Sequence, residues 1–287
     1  MSVVSNSVFS GFSTLCPSDP LEWQWQEWEG LPYLTCSLLE NWSHGFFTRP
    51  FAPKAPPELI AVLQSSAQVY RLKQVHGNLV LKTGEVSPVS LDGPEAPAPS
   101  VYPEADGLLT EQMDQAVWVC TADCVPVLLA DIKTQEVAAV HAGWRGTATK
   151  IVPEAIRQLQ AQGSQIENLR VALGPAITGG VYQVSWDVAA QVGATIAPPE
   201  VTHSTPELID FLHQLPNSPL EEDSEPNKVY LDVRRVNTLQ MEQLGLNSKQ
   251  IAIAPYCTYQ EPEYFFSYRR DQLKQVQWSG IVSGEVS

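Results

Sequence analysis

Apolar residues fall into short runs along this chain, and the spacing within each run separates strands from helices. YLTCSLLE (33–40) and HGFFTR (44–49) read as two strands around a short turn. PPELIAVLQSS (56–66) opens on prolines and carries Leu59, Ile60, Val62 and Leu63, which predicts a short helix. QVYRLKQVH (68–76) alternates, so a strand is expected with Tyr70, Leu72, Gln74 and His76 on one face. ADGLLT (105–110), NLRVALG (168–174) and KQIAIAPY (249–256) are further strand segments. Helical spacing recurs near 148–161, 186–194 and 206–214. In the first of these Pro153 demands a late start or a kink. LDVRRVNTLQMEQLG (231–245) predicts a helix capped by Asp232 and stopped by Gly245.

VPVLLAD (125–131) and EVAAVH (136–141) are apolar runs joined by a polar stretch, the pattern of a hairpin. A turn centred on Lys133–Thr134 sets Pro126 opposite His141 and leaves Cys124 just beyond, at the same open end. The proline-rich stretch 85–105 reads as a surface loop, and PNSPLEEDSEPN (216–227) as a second, acidic and mobile one. Strands and helices do not alternate strictly. An α+β fold with mixed sheets covered by helices is therefore expected over a doubly wound one. Trp23, Trp25 and Trp28 crowd residues 1–32, which read as an N-terminal arm or edge strand packed on a single domain of residues 33–287.

Composition narrows the partners. Seventeen basic against 32 acidic residues give a net charge of −15, which repels phosphate backbones and argues against nucleic acid. No stretch approaches the roughly 18 apolar residues of a membrane helix, and the N-terminus carries no secretory signal pattern. Five irregularly spaced cysteines do not form a disulfide framework, so a reducing, cytoplasmic setting is expected.

Three strings carry candidate chemistry: KQVHG with His76, TADCVPVLLAD with Cys124 and AAVHAGWRGT with His141. Two imidazoles and a thiolate form a nitrogen and sulfur set that suits zinc, and three ligands leave one position open for catalysis. Each residue alone has an ordinary reading. Cys124 would be an inert buried thiol, and His76 the cap of a turn. Their spacing matches no standard zinc signature.

The order LKQVHG (72–77), ADGLLT (105–110), TADCVPVLLAD (121–131), AVHAGWRGT (139–147), LGPAI (173–177) with YQV (182–184), and CTY (257–259) with FFSYRRD (265–271) resembles the YfiH-like family, also called laccase-domain or polyphenol oxidase proteins. The resemblance implies a single α+β domain, a four-layer sandwich of two packed β-sheets with helices outside. It implies a zinc site on His76, Cys124 and His141. It further implies phosphorolysis of adenosine, inosine, guanosine or methylthioadenosine, with deamination of adenosine. Arg49 and Arg145 would then lie near the pocket. The chain departs from the family pattern after HGFFTR, where it reads PFAPKAPPE, and after FFSYRRD.

For deamination, zinc brings the pKa of a bound water toward 7. Asp123 is the candidate for proton transfer, with bracing of the turn before Cys124 as its other reading. Phosphorolysis needs an anion site, for which Arg145 comes first and Arg269 and Arg270 are alternatives. Gln74, on the strand face of His76, completes the expected substrate contacts. Two rival activities use the same atoms. One is a Cys124-dependent amide hydrolase with His141 or His76 as base. The other is a copper-dependent polyphenol oxidase. Multicopper chemistry needs more histidine than the five present, which leaves copper as an adventitious occupant of the zinc site.

Overall fold

The computed structural model describes residues 23–89, 102–201 and 204–284. Two six-stranded mixed sheets lie face to face. The first runs β1 (Trp23–Trp28), β2 (Leu31–Cys36), β3 (His44–Phe47), β15 (Gln277–Val282), β7 (Gln115–Thr121), β4 (Gln68–Arg71). The second runs β14 (Ile251–Ile253), β10 (Leu169–Leu173), β8 (Val125–Asp131), β9 (Val137–Ala142), β6 (Gly107–Leu109), β5 (Val80–Lys82). Parallel pairs β4–β7, β5–β6 and β10–β14 sit among antiparallel ones.

Side-chain alternation explains the layering. Every residue of β8 is buried. Leu128 and Ala130 point to the first sheet and join Leu34, Phe46, Val117 and Val119 in the core between the sheets. Val125, Val127 and Leu129 point the other way, into a core shared with α3 (Ile151–Ala161), α4 (Trp186–Gly193), α5 (Thr205–Gln214) and α6 (Val233–Gln243). The outer face of the first sheet is closed by α1 (Pro56–Leu63), where Leu59 and Ile60 meet Val69, Trp118 and Trp278. Strands buried on both faces read as unbroken apolar runs, the pattern seen at 125–131. The expected four-layer α+β sandwich is the observed fold.

Three sequence expectations change in detail. The strand expected over 68–76 ends at Arg71, and His76 lies in a turn with φ 62°. The acidic stretch 216–227 contains β12 (Leu220–Glu222), which joins β13 (Lys228–Leu231) and β11 (Gln183–Ser185) in a third, small sheet. The helix near 148–161 is two: α2 (Trp144–Ala148) and α3, separated at Lys150, whose left-handed φ of 58° lets Pro153 fall in the first turn of α3. That position needs no backbone donor, which is why proline is tolerated there. Of the two readings of the Trp-rich segment, the edge strand is the one observed: Trp23–Trp28 lies at the edge of the first sheet, with Trp23 buried against Phe46. Residues 1–22 of the expected arm, and most of the proline-rich loop, lie outside the described residues. A short helix α7 (Tyr268–Asp271) precedes β15. No helix of the described residues is long and apolar enough to cross a membrane.

Candidate metal centre

The β8–β9 hairpin has the expected register, with Pro126 opposite His141 and Val125 opposite Ala142. Cys124 precedes β8 where the chain crosses from the first sheet to the second. That crossing is a tight turn in which Asp123 takes φ 85°, a conformation unfavourable for a residue with a Cβ. The turn is held by its own side chain. Asp123 Oδ1 accepts from Thr258 Oγ1 at 2.7 Å, and Oδ2 from the Arg269 amide at 2.7 Å. The Asp123 carbonyl accepts from the Ile177 amide at 3.0 Å. Both carboxylate oxygens are thus engaged, and the bracing reading of Asp123 is the one the geometry fits.

His76 reaches the hairpin through Asp106, a residue that strand and helix patterns do not single out. The Asp106 side chain is fully buried. It accepts three successive backbone amides, from Val75 at 3.2 Å, His76 at 2.9 Å and Gly77 at 2.7 Å. Successive N–H groups converging on one anion form a nest, the local substitute for the strand that ends at Arg71. The same carboxylate bonds His141 Nδ1 at 2.8 Å, and the His141 amide donates to the Asp106 carbonyl at 2.7 Å. The imidazole is thereby fixed with Nδ1 on Asp106 and Nε2 toward Cys124.

The ligand atoms of His76, Cys124 and His141 lie within 4.8 Å of one another, and the two rings meet edge to face at 4.8 Å between centroids. Zinc bonds of about 2.0–2.3 Å place tetrahedral ligand atoms about 3.3–3.8 Å apart, so small side-chain rotations complete the set. Gly143 makes room for it: a Cβ there would come 2.7 Å from Cys124 Sγ. Among the described residues these three form the one group of His, Cys, Asp and Glu so arranged. His141 is buried and His76 exposed, which leaves the centre open on the His76 side.

Electrostatics agree with the donor set. Burial pushes the Cys124 thiol up, but the charge and hydrogen bonds of His141, with those of His76, outweigh it and bring it down to about 6. Burial lowers His141, while the Cys124 thiolate and the Asp106 carboxylate raise it well above the ordinary imidazole range. Burial raises Asp106, yet the bonds from His141 and the nest hold it below the usual carboxylate range. For Cys120, four residues before Cys124, burial outweighs the pull of the Arg71 charge and takes the thiol up to about 11.

A small cavity opens beside the thiol between Trp144, Ile177, Tyr182 and Val233. Two arginines are stacked on its aromatic walls. Arg145 lies 4.3 Å over Trp144, and Arg269 lies 4.7 Å over Tyr182 and donates to the Gln183 carbonyl at 2.9 Å. Tyr182 is a further residue that pattern reasoning does not mark, although the YQV string contains it. The other two expected contacts are engaged elsewhere. The Gln74 amide pairs with the backbone of Cys120 in both directions at 2.8 Å, continuing the β4–β7 ladder through a side chain. Arg49 donates to the Pro262 carbonyl at 2.7 Å and stacks on Phe266, away from the cavity beside Cys124.

Residues 57–282 match the family model described as multi-copper polyphenol oxidoreductase laccase. The chain belongs to this family. Among relatives of this laccase-like family, a Synechocystis protein named purine nucleoside phosphorylase is 49% identical over 261 residues, covering 91% of this chain and 97% of that one. A Streptomyces coelicolor protein with the same name is 32% identical over 208 residues, 72% of this chain and 71% of that one. The fold is shared with solved structures. YlmD from Geobacillus stearothermophilus superposes with a TM-score of 0.73 at 24% identity, over 91% of this chain and 99% of that one. YfiH from Bacillus licheniformis gives 0.67 at 23%, over 88% and 96%.

Proposed function

We propose that this laccase-like protein is a zinc-dependent purine nucleoside phosphorylase that also deaminates adenosine. The observation that carries the reading is the convergence of His76, Cys124 and His141 on one point, with Asp106 behind two of them. The relatives named purine nucleoside phosphorylase supply the substrate class. Zinc held there supplies Lewis acidity toward a substrate oxygen or a water, with a coordination position left open.

The chain's own residues do the rest. Arg145 and Arg269 hold the phosphate, since a planar guanidinium binds two oxygens at once and stacking on Trp144 and Tyr182 preorganises each fork. A phosphate oxygen then bonds to C1′ of the ribose as the C1′–N bond breaks. The bonding electrons leave on the purine, which takes up the proton that the hydrogen phosphate gives up, so the products are the free base and ribose 1-phosphate. Trp144, Ile177, Tyr182 and Val233 line the cavity on the Cys124 side of the reacting centre. Asp123 keeps Cys124 in place. A reducing cytoplasm suits this chemistry, and Cys120, Cys124 and Cys257 are free thiols.

One observation also favours the hydrolase reading. Asp106, His141 and Cys124 lie in the order of an orienting acid, a base and a nucleophile. Chelators separate the two, because a thiol hydrolase survives them and the zinc enzyme does not. The direct test is chromatography of adenosine incubated with zinc-loaded protein, with and without phosphate, beside Cys124→Ala. Adenine forming only with phosphate, and inosine in either case, both lost in the variant, is the expected result. Unchanged adenosine overturns the assignment.

A further inference from the structure

Asp106 has more than a geometric part in the centre. Its side chain is fully buried, and its hydrogen-bond partners among the described residues are all N–H groups: three amides and one imidazole. Among the described residues its ion-pair partner is His141, and no lysine or arginine is paired with it. A metal takes imidazole in its neutral form. Once His141 Nε2 is a ligand, the positive charge facing this buried carboxylate has to come from the metal itself. Cys124 contributes a second negative charge as thiolate, while the two imidazoles contribute none.

We propose that Asp106 sets the charge as well as the shape of the centre: with Cys124 it provides two negative charges, and so selects a divalent cation over a monovalent one. This rests on the reading of His76, Cys124 and His141 as metal ligands. The selection has chemical consequence because two imidazoles and a thiolate, taken alone, suit soft cuprous copper as well as zinc. One thiolate neutralises a monovalent ion. A divalent ion at the same three ligands keeps an excess positive charge, which is costly on the buried side of the centre, where His141 and Asp106 lie. Asp106 removes that excess without occupying a coordination position, and the open fourth site is preserved. Asp106 is therefore a positioning residue whose charge reaches the metal through His141 Nδ1 and across the His76 turn.

The test is Asp106→Asn, which keeps the side chain's size and removes its charge. Affinities for zinc and, anaerobically, for cuprous ion are measured on metal-free protein by competition with chromophoric chelators, with circular dichroism as the check on folding. Loss of an outer-shell partner lowers metal affinity about 10- to 100-fold, and attraction to the carboxylate scales with the charge of the cation. The expected result is a zinc loss near the top of that range, about 100-fold, with only about a tenfold loss for cuprous ion. Equal losses for both ions would reduce Asp106 to a structural brace and overturn the proposal, as would an undiminished zinc affinity. Wild-type protein that binds neither ion overturns the metal reading itself. Asp106→Ser, which leaves space for water to cap the amides, carries the same comparison if the Asn variant does not fold.

Discussion

His44 and His141 are both buried imidazoles that sit in a strand just ahead of a small residue, in HGFF and HAGW, and their environments give them opposite chemistry. Both nitrogens of His44 are consumed by backbone: Nε2 accepts from the Cys36 amide and Nδ1 donates to the Trp42 carbonyl, each at 2.8 Å. The ring is locked neutral, and burial takes its pKa down to about 4. His141 spends one nitrogen on Asp106 and turns the other toward a thiol. Cys120 and Cys124 divide in the same way, about 11 against about 6. Both histidines are buried, and both thiols are half-buried. What separates the two imidazoles is whether a ring nitrogen remains that the backbone has not already claimed, and what separates the two thiols is the pair of imidazoles beside Cys124.

The comparison is sharpened first through pH. The His44 pKa falls from 6.5 unfolded to about 4 folded, so the unfolded chain binds a proton that the folded chain refuses. Its contribution is present in full above pH 6.5 and is lost as pH drops toward 4, an effect of about 3 kcal/mol. Urea unfolding at several pH values should show a fall in stability over that window which is absent from His44→Gln, with zinc content unchanged at neutral pH. Parallel curves for the two proteins would contradict the neutral assignment.

Gly143→Ala probes the other side. Gly143 has an ordinary backbone, φ −68° and ψ 170°, so alanine adds no conformational strain. Its methyl would press on Cys124 Sγ, and displacing a reacting group by about 1 Å costs about 100-fold in turnover. An active Gly143→Ala enzyme would mean that the thiol needs no such clearance. Arg145→Ala gives the smallest effect. Loss of one charge-assisted contact should raise KM for phosphate about tenfold in steady-state assays. Thermal stability should be unchanged, because the side chain is exposed. An unaltered KM would leave Arg269 as the anion's holder.

Local pattern carries much of this fold, and the reasons are particular. The β8–β9 register follows from two apolar runs with one polar break. Asp232 accepts from the amides of Arg234 and Arg235 at the start of α6, and Gly245 ends it with φ 101°, because capping chemistry is local. What pattern does not reach is set by residues distant in sequence. Asp106 finds its partners about 30 and 35 positions away, at His76 and His141. Gln74 continues a strand ladder with its side chain, mimicking the alternation of a true strand. The β12 strand hides in a stretch whose acidity suggests only solvation.

The turn at Asp123 joins the two sheets, and that placement has a mechanical consequence. His76 hangs from a segment continuing the first sheet's β4, His141 from β9 of the second, and Cys124 from the strap between them. An ion gripping all three is a rivet through two plates. Sliding one layer over the other would have to shear it, so occupancy should slow unfolding more than its size suggests, and chelation should loosen the seam where the layers meet.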